Sequence, residues 1–448
     1  MAIKFYKETN FKDLENTSRE IGINKIPKEW GVKRLNEVSN IMMGQSPPSS
    51  AYNNRGGGLP FIQGSRDFGD MYPSITTFTT ICNKKAPKGS ILFSVRAPVG
   101  DVNIADRELC IGRGIAAIFP TNTLLNSSYL YYYLVYMAPT IKRQSSGTTF
   151  ESIKKSDLEY LPIPLPPLEE QKSIADVLST IDREIENINN LIEKTEKLKK
   201  NLMNLLLYGK IRIKKENNIY RFYKETNFKD LGNVSIEIGI NKIPKEWEVK
   251  KLKDIVIKAK MGGTPSRNIS EYWNGDIPFI KAQDITKTGK YSYQTEEYIT
   301  EYGLKNSNAW IIPKDSLLLS AYGSIGFLKI NKIPIATNQQ IIGIIPKEEI
   351  VDIEFLYYWY LYFQPFWNKF IKTTTLPHLT QEIILDSPVP VPPLEEQKSI
   401  ADVLSTIDRK IDLLKRKKEL IIEVKKWFMK KLLTGEIRIK ILENDNKQ

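Results

Sequence analysis

Residues Pro166 to Arg183 return letter for letter as Pro392 to Arg409, eighteen positions with an offset of 226 (392 − 166). A second pair brackets the first. Phe5–Leu14 recurs as Phe222–Leu231 and Gly22–Trp30 as Gly239–Trp247, both with an offset of 217 (222 − 5). In a chain of 448 residues this is a tandem duplication. It calls for two like units built around the repeated segments. What lies between the repeats is far less alike, and that contrast carries the functional argument.

The length leaves room for two to four domains, and the duplication favours an even number. Hydrophobic residues make up 41% of the chain, enough for real cores. The first residues, Met1-Ala2-Ile3-Lys4-Phe5, hold no apolar leader pattern, and no apolar run approaches the length of a membrane span. Cys82 and Cys110 are the only cysteines, neither a disulfide framework nor a metal cluster, and are expected to be reduced, partly buried thiols. The expected location is cytoplasmic. A formal charge of +13 fits a polyanionic partner, of which nucleic acid is the commonest in a cell. A merely lysine-rich composition is the bland alternative.

Residues 1–27 form a polar lead-in, and Pro27 with Trp30 marks the entrance to a domain. From there to Leu165, short apolar runs are punctuated by Gly, Pro, Asn and Ser. Leu59–Gln63, Gly89–Val95 and Gly114–Pro120 read as strands, and Ser128–Tyr136 as a helix, so this is a mixed α/β domain. Pro162, Pro164, Pro166 and Pro167 then stop it. Proline suits a first helical turn, and Glu169 and Glu170 suit the positive end of the helix dipole. Ile174, Leu178, Ile181, Ile185, Ile188 and Ile192 follow at heptad spacing, continuing loosely through Leu198, Leu202 and Leu205 to Gly209. Leu168 to Leu207 spans roughly 60 Å at 1.5 Å per residue.

The second half repeats the plan. A lead-in is followed by a mixed domain to Val391, then by a helix striped by Ile400, Leu404, Ile407, Ile411, Leu414, Ile421, Phe428 and Leu432, interrupted at Lys418 and stopped at Gly435. A lone apolar-faced helix of this length is unstable in water. Its nearest partner is its own copy, packed antiparallel, although parallel association between chains is a second solution. The expected divisions are 1–165, lead-in and first globular domain; 166–214, first helix; 215–391, lead-in and second globular domain; and 392–448, second helix and tail.

The two globular segments align by landmarks. Pro60-Phe61-Ile62 matches Pro278-Phe279-Ile280, Pro87–Ser94 matches Pro313–Ser320, and Met43–Pro47 matches Gly262–Pro265. Between the landmarks they diverge: Gln63–Asp67 stands against Lys281–Asp284, and Val95–Pro98 against Ala321–Ser324. A copied scaffold with different loops points to two sites recognising different things. Arg, Lys, Gln, Asn and Ser on such loops are what phosphate and base-edge contacts require. Any one of these residues, taken singly, reads more readily as part of an ordinary solvated loop.

Motifs for catalysis are missing from the sequence. It contains no phosphate-binding Gly-x-x-x-x-Gly-Lys-[Ser/Thr] loop and no Gly-x-Gly-x-x-Gly after a strand. It also lacks the Asn/Asp-Pro-Pro-aromatic tetrapeptide used by amino-methyltransferases; Ser46-Pro47-Pro48-Ser49 has neither end. The sole histidine, His378, has no cysteine or second histidine with which to bind metal. Glu170-Gln171-Lys172 echoes the tail of a nuclease motif but opens a helix, with no preceding aspartate on a strand.

These residues resemble a known family, the specificity subunits of type I restriction–modification systems. The likeness rests on Pro-x-Pro-Pro-Leu-Glu-Glu-Gln-Lys-x-Ile-Ala at Pro164 and Pro390, on Ile26–Trp30 and its copy, and on the helix ends Leu206–Ile211 and Leu432–Ile437. It covers essentially the whole chain. By that resemblance the fold is α/β plus α: two α/β target-recognition domains separated by two long antiparallel coiled-coil helices, with an internal pseudo-twofold repeat. The family implies a non-catalytic DNA-binding subunit whose two domains each read one half of a bipartite, asymmetric site. The helices would set the unread spacer, one to two helical turns at 34–36 Å per turn, and would dock two methyltransferase subunits. By the resemblance, S-adenosylmethionine, ATP and magnesium are expected on partner subunits, with ATP-driven translocation on restriction/translocase subunits; this chain is expected to hold no cofactor or metal.

The residues expected at the DNA are, in the first domain, Gln45, Ser46, Gln63, Ser65, Arg66, Arg96, Arg113, Ser145, Ser146 and Thr148. In the second they are Thr264, Ser266, Arg267, Lys281, Gln283, Tyr322, Asn338, Gln339, Thr374 and His378. The competing reading is a coiled-coil scaffold whose globular ends bind protein, which predicts no salt-sensitive DNA binding. A self-sufficient enzyme's recognition half is disfavoured by the missing catalytic motifs.

Overall fold

A computed structural model describes residues 2–14, 23–121, 124–145, 152–217, 219–232, 239–287, 289–371 and 378–442. The chain divides into two compact units, residues 1–189 with 416–448, and residues 190–415. The division falls inside the two long helices, Leu168–Leu207 and Leu394–Leu433, so each unit takes part of both. The expected span of the first helix matches the observed one, and Gly209 follows it at φ +64°.

In the first unit a four-stranded antiparallel sheet runs in the order Val102–Ile104, Ile91–Ser94, Ile115–Pro120, Ser39–Met43. Ile91, Phe93, Ala116 and Ile118 are buried on it. A second sheet pairs Leu59–Ile62 in parallel with Leu109–Ile111 and carries three shorter strands beside them. The expected helix runs longer than its aromatic run, over Ser127–Ser145, and buries Tyr129 to Leu134 against the first sheet's core. Pro162–Leu165 closes the domain as a two-stranded ladder with Gly31–Arg34, a place where prolines cost no interior hydrogen bonds.

Cys82 and Cys110 are bonded to each other, their Cα atoms 5.6 Å apart, which corrects the expectation of two reduced thiols. The cause is topological. Leu109–Ile111 pairs with Lys85–Ala86, folding the chain around residue 82 back onto the strand that carries Cys110.

The second unit repeats the pattern with its own register. One sheet runs Val256–Met261, Ile341–Pro346, Leu317–Ser320, Leu328–Asn331, Tyr291–Ser292, and the other Glu297–Ile299, Trp273–Ile280, Ala336–Thr337. Helix Ile353–Phe363 buries nearly its whole aromatic face, from Phe355 to Tyr360. The Glu248–Lys251 and Pro388–Val391 ladder closes it.

The lead-ins, whose order the sequence leaves open, contain strands. Ala2–Lys7 pairs with Ile437–Leu442, so the start of the chain lies against its end, with Phe5 opposite Ile439. In the second unit Ile219–Lys224 pairs with Ile211–Glu216, and Phe222 faces Ile213.

Burial accounts for several of the identical letters of the duplication. In the first unit Glu170 is buried and accepts from Arg438 Nε and Nη2 at 3.0 and 2.8 Å and from the buried Trp30 indole at 3.3 Å. Arg438 also donates to Glu8 and Glu29. Gln171, with no exposed surface, donates to the carbonyls of Leu124 and Pro166 and accepts from Asn126 N–H. The Tyr132 hydroxyl donates to Asp182 at 2.7 Å, and Lys425 closes on the same carboxylate at 2.5 Å. The second unit builds each joint again: Arg212 with Glu396, Glu225 and Glu246; Gln397 with Ile350, Asp352 and Pro392; and Tyr358 with Asp408 and Lys199. The fragment resembling a nuclease tail is therefore a buried structural joint. Of the expected helix stripe, Ile174, Leu178 and Ile188 are buried, whereas Leu198 is half exposed.

Candidate nucleic-acid interface

In the first unit, several loops leave the sheets on one side and meet. The turn after Ser39–Met43 brings Gln45 N–H to the Ile111 carbonyl at 3.0 Å, and Ser46 Oγ accepts from Arg113 N–H at 3.2 Å. Val95 N–H donates to Gly114 O, and Ile153 N–H to Val95 O. A Cβ on Gly112 would lie 3.1 Å from Gln63 Cα, so the loop after Leu59–Ile62 belongs to the same cluster. Gly44 is required because any side chain there would collide with the carbonyls of Ile111 and Ile115.

This rim holds Gln45, Ser46, Gln63, Arg96 and Arg113, with Ser65 and Arg66 in the following turn, Ser65–Asp67. That turn is fixed by Asp67, which accepts from Gln63 N–H at 2.8 Å. Gln45, Gln63, Arg66, Arg96 and Arg113 are exposed. Among the described residues none of the three arginines has a carboxylate partner, so their charge faces solvent. Ser145 ends the Ser127–Ser145 helix; Ser146 and Thr148 lie outside the described residues.

The second unit assembles the same rim from different side chains. Gly262 N–H donates to Ile341 O, Gly263 N–H to Thr337 O, Ala321 N–H to Gln340 O, and Leu379 N–H to Ala321 O. Thr264 donates to Gln339 at 2.6 Å, and Asn338 to Gln340 at 3.1 Å. The bridge between Arg96 and Ser152 in the first unit has its counterpart in that between Tyr322 and His378, whose rings stack in parallel at 5.0 Å. Gln283 is exposed in the turn after Lys281, and Ser266 is exposed with its carbonyl bonded to the Trp273 indole. Thr374 lies outside the described residues.

The two rims differ in how their cations are held, and the sequence reading missed the residue responsible. Glu297 receives Arg267 Nη2 and Lys281 Nζ, each at 2.6 Å. The Arg267 guanidinium sits 3.6 Å over the Trp273 ring. Partial burial works to raise the Glu297 pKa, but the hydrogen bonds from Lys281 and Arg267 outweigh it and hold the group below the ordinary carboxylate range. Glu297 lies sixteen residues from Lys281 on a separate strand, and no local pattern links them.

Among the described residues no cluster of His, Cys, Asp and Glu is arranged to hold a metal, and no helix is long and apolar enough to cross a membrane. The loops offer hydrogen-bond donors, acceptors and positive charge, the chemistry of recognition.

Comparison with known proteins shows the family and the fold. The family pattern described as "Type I restriction modification DNA specificity domain" matches residues 27–197 and 244–423. A putative type I restriction enzyme MjaX specificity subunit from Methanocaldococcus jannaschii is 47% identical over 216 residues; that match spans 48% of this chain and only 50% of the relative. The type I restriction enzyme MjaVIII specificity subunit of the same organism is 28% identical over 99% of both chains. In fold, the chain is similar to the crystal structure of a type I restriction–modification S subunit from M. genitalium. The TM-score is 0.56 with 20% identity, over 95% of this chain and 99% of that one.

Proposed function

This chain belongs to the family of type I restriction–modification DNA specificity domains, and on that premise we propose that it is the sequence-reading subunit of such a complex. The observation that carries the reading is the rim built twice on one scaffold, with Arg66, Arg96 and Arg113 exposed on one copy and Arg267, Lys281, Tyr322 and His378 held by their neighbours on the other. Each rim would read one half of a split DNA site, and the difference between them makes that site asymmetric.

The reading extends to the helices. Ion pairs join Asp182 to Lys425 and Glu184 to Lys417 in the first unit, and Asp408 to Lys199 and Glu196 to Lys415 in the second. They support antiparallel pairing of the two long helices, which would set the unread spacer and dock two methyltransferase subunits. The chain itself would be non-catalytic, acting in the cytoplasm. S-adenosylmethionine would be bound by the methyltransferase subunits, and ATP and magnesium by restriction/translocase subunits.

The test is to mix the chain with its cognate methyltransferase subunits and S-adenosylmethionine and map methylated adenines across a genome. One split, asymmetric motif is expected, and exchanging residues 30–165 should change one half of it. Methylation indifferent to this chain would sink the proposal in favour of a protein-binding scaffold.

A further inference from the structure

The cations of the two rims are wired differently. In the first, Arg66, Arg96 and Arg113 are exposed without carboxylate partners among the described residues. In the second, two candidate contacts, Arg267 and Lys281, converge on one acid. Arg267 is fixed three ways: by Glu297, by the face of Trp273, and through that indole, which bonds the neighbouring Ser266 carbonyl at 3.1 Å. The indole in turn packs edge-on against the buried Phe279. Lys281, at the start of the adjacent turn, is held by the other Glu297 oxygen. Glu297 itself is anchored on a strand, opposite Phe279 in the ladder. The corresponding position in the first unit, where Thr77 O accepts from Phe61 N–H, carries a threonine.

We propose that Glu297 is a positioning residue for recognition: it sets the direction in which Arg267 and Lys281 meet the DNA and so determines which bases the second rim accepts. This rests on the DNA-reading function above. A long, loose cation settles on phosphate, which is the same in every sequence. A guanidinium clamped by a carboxylate and an aromatic face has already lost its rotamer freedom, and it discriminates between base edges by direction. Without the carboxylate, Arg267 and Lys281 repel each other and are released towards the backbone.

The experiment uses the full chain with its methyltransferase subunits and S-adenosylmethionine, acting on a library of split DNA sites, with Glu297→Gln beside the wild type. Discrimination at one or more positions of the second half-site should fall about tenfold, with the first half-site unchanged. The slope of log K against log salt should steepen by about one to two as the two cations turn to phosphate. A merely structural Glu297 would shift the thermal midpoint and leave the accepted bases alone. Wild-type discrimination at the second half-site in Glu297→Gln overturns the inference. If that variant fails to assemble, the exposed Arg267→Ala substitution decides: relaxation confined to the second half-site upholds the inference, and unchanged discrimination overturns it. A wild-type complex that shows no split-site preference would instead defeat the underlying function, a result distinct from either variant's.

Discussion

Arg438, near the end of the chain, grips both oxygens of Glu170 at 3.0 and 2.8 Å across 268 residues of sequence. Arg212 grips Glu396 in the same way at 2.6 and 2.7 Å. In each case the glutamate opens one long helix, the arginine lies on the strand that follows the other, and a buried tryptophan adds a third hydrogen bond to the acid. Helix start, lead-in and domain entrance are thus tied at one buried point in each unit.

Replacing Glu170 with Ala leaves Arg438 buried with only Glu8 and the largely exposed Glu29 for compensation. Losing one partner of a buried pair costs about 3–5 kcal/mol. The urea midpoint of the first unit's transition should fall accordingly, and Glu396→Ala should do the same for the second.

The Tyr132–Asp182–Lys425 joint ties the domain's helix to the long helices within its unit. Tyr132→Phe removes one hydrogen bond to a charged acceptor and should cost about 1.5–3 kcal/mol, read by chemical denaturation. Burial first, and then the Asp182 charge, push the Tyr132 phenol far above its ordinary value. It should stay silent in an absorbance titration at alkaline pH until the unit unfolds.

Glu8 has its pKa lowered, chiefly by the Asn10 backbone N–H, against the opposing effect of burial and with help from Arg438 and the Thr9 N–H. Because the folded value lies below the unfolded one, its contribution is complete above the ordinary value of 4.5 and is lost as pH falls through the folded value. Glu8→Gln should therefore destabilise the protein at pH 7 and approach wild-type stability in strong acid, as measured by denaturant midpoints across that range.

Arg66 is exposed in a turn fixed by Asp67, and no carboxylate among the described residues holds it. Arg66→Ala should weaken DNA binding by about 1–3 kcal/mol and relax one position of the first half-site. Equal weakening on every sequence, with a salt slope lower by about one, would make it a phosphate contact instead.

Much of this was legible in the letters. The repeat announced two units, heptad spacing placed Leu168–Leu207 to the residue, and Pro60 with Pro278 aligned strands that proved equivalent. The reason Glu170, Gln171 and Asp182 repeat was not legible, because their partners Arg438, Leu124, Asn126, Tyr132 and Lys425 lie from 45 to 268 residues away. The cysteine pair escaped for the same reason: only the pairing of Leu109–Ile111 with Lys85–Ala86 brings the loop to the strand.

The sequence alone determined what depends on neighbours along the chain: helix length, from apolar period and flanking proline and glycine; the presence of two units, from the exact copy; and the polar character of the loops. Only the tertiary structure decided which loops meet in each rim and which charges there are already spent. Arg66 and Arg267 look alike in a list of residues. One is exposed to solvent, while the other is clamped between Trp273 and Glu297, because strand pairing, a long-range property, carried an acid to one rim and a threonine to the other.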